Sequence, residues 1–442
     1  MKPITKNDLL QYDQKYQTSP VQKAIQHVLY KNTLSDIAID STRLSSMKFH
    51  FSNDLMTLPV TNQKQSGRCW IFAGLNVLRE HMVKKHPFKD VEFSQNYIAF
   101  WDKFEKINYF IETMDQFLEV DYDDRAFQYL LRVGIQDGGQ WDMFVSLVSK
   151  YGLVPKDNMD ETASSSNTRL MNQLINTVLR KYAANARRMH ANSQDIHPLK
   201  QQTLQELYGF LCTNFGCPPT TFDFEIVDKN NQYLIHNKLS PLSFFHEFVG
   251  DTLSDYVSII NAPTADKPFH QTYTVKNLGN VIGGQEVKYL NLEMKDLKQL
   301  VIQQILDKEA VWFGADVAYF GDRQVGLWDD LAYRFDELFE MDFHIEKSDA
   351  LRYSHSQMNH AMVFGGVNLV QGISTKWKIE NSWGDLGGNK GYYIASDSWF
   401  DRFVYQAVIH KKHLSIEQLD QWMKTPIVLK PWDPMGSLAL TE

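Results

Sequence analysis

The sequence predicts an α+β protein, with helices gathered in its front half and strands in its back half. Two observations carry that expectation. Between residues 69 and 188 apolar residues recur at helical spacing, the mark of helices with one buried face. Beyond about residue 280, β-forming runs such as NVIGGQEVKYLNL, KWKIENSW and GYYIAS stand between Gly and Asn turns. Helices and strands segregated along the chain define α+β.

Each element has its own signal. Cys69 to about Lys85 reads as a helix, with Trp70, Ala73, Val77 and Leu78 at helical spacing behind the Gly of SGRCW. Residues 94–110 form an aromatic-rich helix for which Ser94 is the N-cap. A third helix follows GGQ, at WDMFVSLVSKY, and Gly152 closes it. The Ser-rich TASSSNT (162–168) reads as a linker. In the helix over 169–188, Leu170, Leu174, Val178 and Tyr182 repeat every four residues, a stripe expected to face a neighbour. The run AVWFGADVAYF (310–320) suits a buried strand or helix.

Composition narrows the function. With 442 residues, 43% hydrophobic and 13% aromatic, the chain can bury a sizeable core. Its 45 basic and 53 acidic residues give a net charge of −8, which lends nucleic-acid binding no support. The polar start MKPITKNDLLQYDQKYQ lacks the apolar centre of a secretory signal, and no apolar run is long enough for a bilayer. Three cysteines cannot build a disulfide framework, so a cytoplasmic, reducing location is expected. His410 and His413 in HKKH have no acidic or Cys partner nearby, and no phosphate-cradling Gly loop occurs. No metal and no cofactor are expected.

The chemistry gathers in TNQKQSGRCWIFAGLNVLRE (61–80). A thiol in the first turn of a helix faces unpaired N–H groups and the positive end of the helix dipole, which favours the thiolate nucleophile. Gln63, six positions upstream, can fold back so that its amide converges with the Cys69 N–H on one oxyanion. Most cysteines are inert small hydrophobes, and Cys212 and Cys217 fit that description. Fourteen histidines compete to be the base. His360, in SQMNHAMVFGGVNLV, stands where a strand enters the core. Asn381, in KWKIENSWGDLGG, offers an oxygen to orient the imidazole, and Trp383 lies close enough to shield that bond. The order Gln, Cys, His, Asn predicts a thiol hydrolase.

The strings NQKQSGRCW, QDGGQWDMFVSLVSKYGLVPK, NHAM, ENSWGD and the ending PWDPMG together resemble the bleomycin hydrolase and bacterial aminopeptidase C family of papain-like cysteine peptidases. The resemblance runs from about Phe51 to the C-terminus. It implies a papain-like two-lobed fold, with Cys69, His360 and Asn381 as catalytic triad and Gln63 as oxyanion donor. Gly138 and Gly139 would line the substrate backbone, with Asn359 and Glu442 as further substrate contacts. It also implies a homohexamer acting on peptides. Residues 1–55 would be an extension, 56–165 the helical lobe, 166–270 a helical insertion, 271–412 the β-barrel-like lobe, and 413–442 a C-terminal helix and tail. Two departures from secreted relatives agree. Ser66 stands where their CGSCW-type string has a Cys, and 291 positions separate Cys69 from His360, about twice the roughly 130–150 of papain-type enzymes.

In this family the tail lies in the cleft and confines cleavage to N-terminal residues. Here PWDPMGSLALTE runs three residues past the usual MGALA-type stop, and Glu442 adds a charge that would hold a substrate ammonium. Aminopeptidase is therefore the first reading and endopeptidase or oligopeptidase the second. An acyltransferase using the same Cys–His chemistry and a silent scaffold are the rivals from other classes.

Overall fold

In the computed structural model, which describes residues 1–441, a helical lobe and a sheet lobe face one another across a cleft. The helical lobe is built on three helices. Cys69–Lys85 is buried nearly all round, as a helix packed on every side must be. Gln95–Asp115 starts at Ser94, whose hydroxyl accepts from the Tyr97 N–H at 3.0 Å. Trp141–Tyr151 ends at Gly152, where φ is +74° and the chain passes against Pro241 with no room for a Cβ.

The other lobe is one long sheet. Its centre runs, in spatial order, through Tyr256–Ile260, Val404–His410, Val311–Ala315, His360–Val370, Ile373–Glu380 and Tyr392–Ser396. These central pairings are antiparallel, and His360 lies opposite Ala315. One face packs on Met294–Leu306 and the Trp377–Phe400 pair; the other joins the core of the helical lobe. The predicted run at 310–320 thus resolves into a strand, Val311–Ala315. Of NVIGGQEVKYLNL only Tyr289–Asn291 is strand, because the preceding residues form a loop against the Gln95–Asp115 helix.

Two expectations are corrected. TASSSNT is no linker: Ala163–Ser166 is a helical turn closed by a Thr162–Ser165 capping box, and Ser165 and Thr168 are buried. Its hydroxyls satisfy helix ends and a buried carboxylate, which composition alone does not distinguish from solvation. In the helix Arg169–Ala191, Leu170 and Leu174 are exposed; the buried stripe is Met171, Ile175, Leu179, Tyr182, Ala183 and Ala186. That stripe sits one position further on and is partly made of Ala, which weakens its hydrophobic signal. The segment after it also carries a hairpin, Phe222–Val227 with Tyr233–Leu239, and the strand Tyr256–Ile260 belongs to the main sheet.

Residues 1–50 contrast with the core. The helices Lys6–Gln17 and Pro20–Leu29 bury no residue, while Leu9, Leu10, Val21 and Val28 are exposed on them. No helix among the described residues is long and apolar enough to cross a membrane.

Candidate active site

Cys69 is the first residue of its helix, and the preceding Arg68 contributes no side-chain cap. The N–H groups of that first turn therefore remain unclaimed by a capping side chain. Arg68 turns away instead, donating to Ser66 Oγ at 2.9 Å and to both oxygens of Glu161 at 3.0 and 2.9 Å. The loop before it is folded back as the spacing predicts. Gln63 Nε2 donates to the Ser66 carbonyl at 2.6 Å, and Ser66 Oγ donates to the Gln63 carbonyl at 2.7 Å. Ser382 Oγ donates to Gln63 Oε1 at 2.6 Å. The amide is thereby locked with one of its two N–H groups still to give.

Across the cleft, His360 opens its strand and Asn381 directly follows the neighbouring one. The imidazole Nε2 lies 2.8 Å from Asn381 Oδ1, and Trp383 stacks on the ring with centroids 4.8 Å apart. With Nε2 so engaged, Nδ1 is the nitrogen left for the thiol. The Ala361 N–H donates to Cys69 Sγ at 3.4 Å, which fixes the sulfur beside the residue that bears the imidazole. Cys69, His360, Asn381 and Gln63 are thus brought together from three segments.

Burial decides their charge. Cys69 and His360 are 1% and 4% exposed. Burial pushes the thiol up to about 11, and the N–H bonds from Ala361 and Trp70 only partly offset it. Burial likewise pushes the imidazole down to about 4, against the opposing pull of Asn381. The helix terminus favours the thiolate, and desolvation in this closed cleft opposes it.

The cleft is closed by the chain itself. Pro434–Leu440 forms a 3-10 helix whose Met435, Gly436, Ser437, Leu438 and Ala439 are buried. Ser437 Oγ donates to the Met358 carbonyl at 2.7 Å, and Tyr289 Oη to the Met435 carbonyl at 3.2 Å. The Gly138 N–H donates to the Thr441 carbonyl at 3.0 Å. Both glycines are sterically required. A Cβ on Gly138 would run into the Leu438 carbonyl, and one on Gly139 would come within 2.6 Å of the Trp70 ring.

Asn359 is turned inward: its amide donates to Asp316 at 2.6 Å and its oxygen accepts the Val317 N–H at 3.0 Å. These two bonds leave one amide N–H and one oxygen lone pair of the side chain unengaged. Glu442 lies outside the described residues. Cys212 lies in the last turns of the helix His197–Phe215 and the exposed Cys217 just beyond it.

Sequence reasoning passed over Asp137. This buried carboxylate accepts from the Gly67 N–H at 2.9 Å, from Asn172 Nδ2 at 2.9 Å and from Thr168 Oγ1, and pairs with Lys103 at 2.5 Å. Its carbonyl accepts from Trp70 Nε1 at 2.7 Å. One residue thus ties the turn before Cys69, the ring after it and Gly138 into one unit. The only trace in the sequence was an Asp beside the GG pair.

A model of the Peptidase C1-like family matches residues 3–436, and this fold with this site defines a papain-like cysteine peptidase. Aminopeptidase C of Listeria monocytogenes is 42% identical over 437 residues, covering 99% of both chains. Aminopeptidase C of Lactococcus lactis subsp. lactis is 45% identical, covering 94% of this chain and 95% of its own. The solved structure of pepW from Lactobacillus rhamnosis HN001 is 48% identical, with a TM-score of 0.96 over 98% of this chain and 99% of that one. The chain belongs to the bleomycin hydrolase and aminopeptidase C family.

Proposed function

We propose that the protein is a cysteine aminopeptidase, removing residues from peptide N-termini through a thioester. The observation that carries this reading is the Gly138 N–H donated to Thr441 at 3.0 Å. Gly138 is where a longer substrate would pair its backbone, and the chain's own tail takes that bond. Room is left for the first residue of a peptide and little before it. The names of the aminopeptidase C relatives support the same reading.

In the proposed reaction His360 Nδ1 takes the Cys69 proton, and the sulfur attacks the scissile carbonyl. The oxyanion receives the Cys69 N–H and the remaining Gln63 N–H. The C–N bond then breaks as the imidazolium gives its proton to the leaving amine, and a thioester remains. Water, deprotonated by the imidazole, attacks the thioester and releases the free amino acid and the thiol. Asn381 holds the ring throughout, and Trp383 keeps water from the bond that holds it.

One unblocked peptide and its N-acetylated twin test the reading, with product masses as the measurement. Release of single residues from the free form alone is expected; internal cuts in both forms would make the protein an endopeptidase.

The reading extends to assembly and place. The exposed apolar residues of Lys6–Gln17 and Pro20–Leu29 support a homohexamer, to be checked by light scattering. Three cysteines, all free, support a cytoplasmic location.

A further inference from the structure

Arg323 stands on the turn of a small hairpin formed by Gly321–Asp322 and Leu327–Trp328. The turn is braced. Asp322 Oδ1 accepts the N–H groups of Gln324 and Val325, each at 2.9 Å, and Tyr393 Oη donates to the Arg323 carbonyl at 3.1 Å. The side chain is exposed yet placed, its guanidinium carbon 4.2 Å from the centre of the Trp383 ring. Its charge is committed to that indole and to no carboxylate among the described residues. Trp383 in turn stacks on His360, so imidazole and guanidinium both rest against one indole.

The position has a chemical meaning if the proposed reaction holds, on which this inference rests. The acyl half of a substrate lies toward Gly138, where the tail ends. The amine half departs past the imidazole that protonates it, and Trp383 forms the wall there. From the two stacking distances the guanidinium is no more than about 9 Å from the imidazole. An extended peptide advances roughly 3.3–3.6 Å per residue, so about two residues span that gap. A carboxylate two residues beyond the cleaved bond is the C-terminus of a tripeptide.

We infer that Arg323 receives the C-terminal carboxylate of short peptides and makes tripeptides with a free carboxyl group favoured substrates. A guanidinium suits this partner, because its planar fork pairs both carboxylate oxygens at once. Stacking on Trp383 holds the fork in place before substrate arrives.

The test compares Ala-Ala-Ala with its C-terminal amide in the wild type, Arg323→Gln and Arg323→Lys. In the wild type the acid should be cleaved with a kcat/KM about fivefold higher, most of it in KM, the scale of a solvent-accessible charged pair. Arg323→Gln should bring the two substrates level, the acid-to-amide ratio of kcat/KM falling to about one. Arg323→Lys should keep part of the preference. A peptide of six residues, whose carboxylate reaches well past the guanidinium, should show no acid preference in any variant. Equal cleavage of acid and amide by the wild type, or an unchanged ratio in Arg323→Gln, overturns the inference and leaves the aminopeptidase standing. Cleavage of neither peptide removes both.

Discussion

The two ends of the cleft are finished in opposite ways. At the Gly138 end the protein fills the groove with its own tail, five consecutive residues of which are buried. At the Trp383 end the wall is an indole capped by one exposed cation. On the proposed reading, a groove occupied at the Gly138 end admits a peptide by its first residue and lets the remainder run out past Trp383. Direction of cleavage is thus built from packing, while the bond-breaking groups are those of a general thiol peptidase.

The largest effect should come from the point where the two ends meet. Cys69→Ala removes the nucleophile while trading one small buried side chain for another, so folding should survive. Turnover of every peptide should fall by at least about 10⁴-fold, to the detection limit. Circular dichroism and a peptide-release assay check both halves of this statement. An active alanine variant would end the thiol mechanism for both ends alike.

Next comes the filled end. A chain ending at Ala439 loses the carbonyl that takes the Gly138 N–H but keeps Met435 to Ala439 packed. The Gly138 N–H is then free for a substrate backbone, and each extended residue admitted takes roughly 3.3–3.6 Å of groove. Products should therefore shift from single amino acids to fragments of two or three residues, and N-acetylated peptides should become substrates. Mass spectra of digests with the full and shortened chains measure this. Unchanged single-residue release would show that something other than residues 440–442 sets the direction.

Asp137→Asn acts on the same end more gently. It keeps the shape but leaves Lys103 buried without its counter-charge, a cost of about 3–5 kcal/mol. The Gly67 N–H would lose its charged acceptor. A drop in kcat of about 10- to 100-fold is expected, larger than any change in KM, since the carboxylate positions the nucleophile and touches no substrate. Steady-state kinetics and urea unfolding would check this together; full kcat with lowered stability would reduce Asp137 to a structural ion.

Much of this was legible in the sequence, and the reason differs by element. Ser94, Gly152 and the Cys69 helix follow from local rules, in which a cap or a period sits within a few residues. The meeting of Gln63, Cys69, His360 and Asn381 was legible only because each stood in its proper kind of element. The exposed Leu170 and Leu174 misled because a helix with apolar residues on two faces has two candidate stripes, and tertiary contacts choose between them. The hairpin Phe222–Val227 did carry an alternating signature, with Phe222, Phe224 and Ile226 buried. Asp137 and Arg323 were illegible. Their roles depend on partners 70 and 60 positions away, Gly67 and Trp383, and nothing local records such contacts.

The smallest expected effect on catalysis, and the clearest in pH, lies beneath the tail. Asp142 is in the first turn of Trp141–Tyr151, wholly buried, and accepts from Gln285 Nε2 at 2.7 Å and the Lys288 N–H at 3.3 Å. No cation pairs with it among the described residues, and burial raises its carboxyl to about 7. Because that value exceeds the unfolded one of 3.8, the folded state holds the proton more tightly. Its contribution is complete below pH 4, declines as pH rises, and is gone once pH passes 7. The integrated loss is roughly 4 kcal/mol. His81 and His360, both lowered to about 4 by burial, act oppositely, destabilising the fold as pH falls from 6.5 toward 4. Subtracting wild type from Asp142→Asn cancels those histidines. The variant's relative stability, read from urea midpoints, should climb between pH 4 and pH 7 and level off above it. A stability difference that stays flat with pH would show the carboxylate to be ionised in the fold and well served by its two donors.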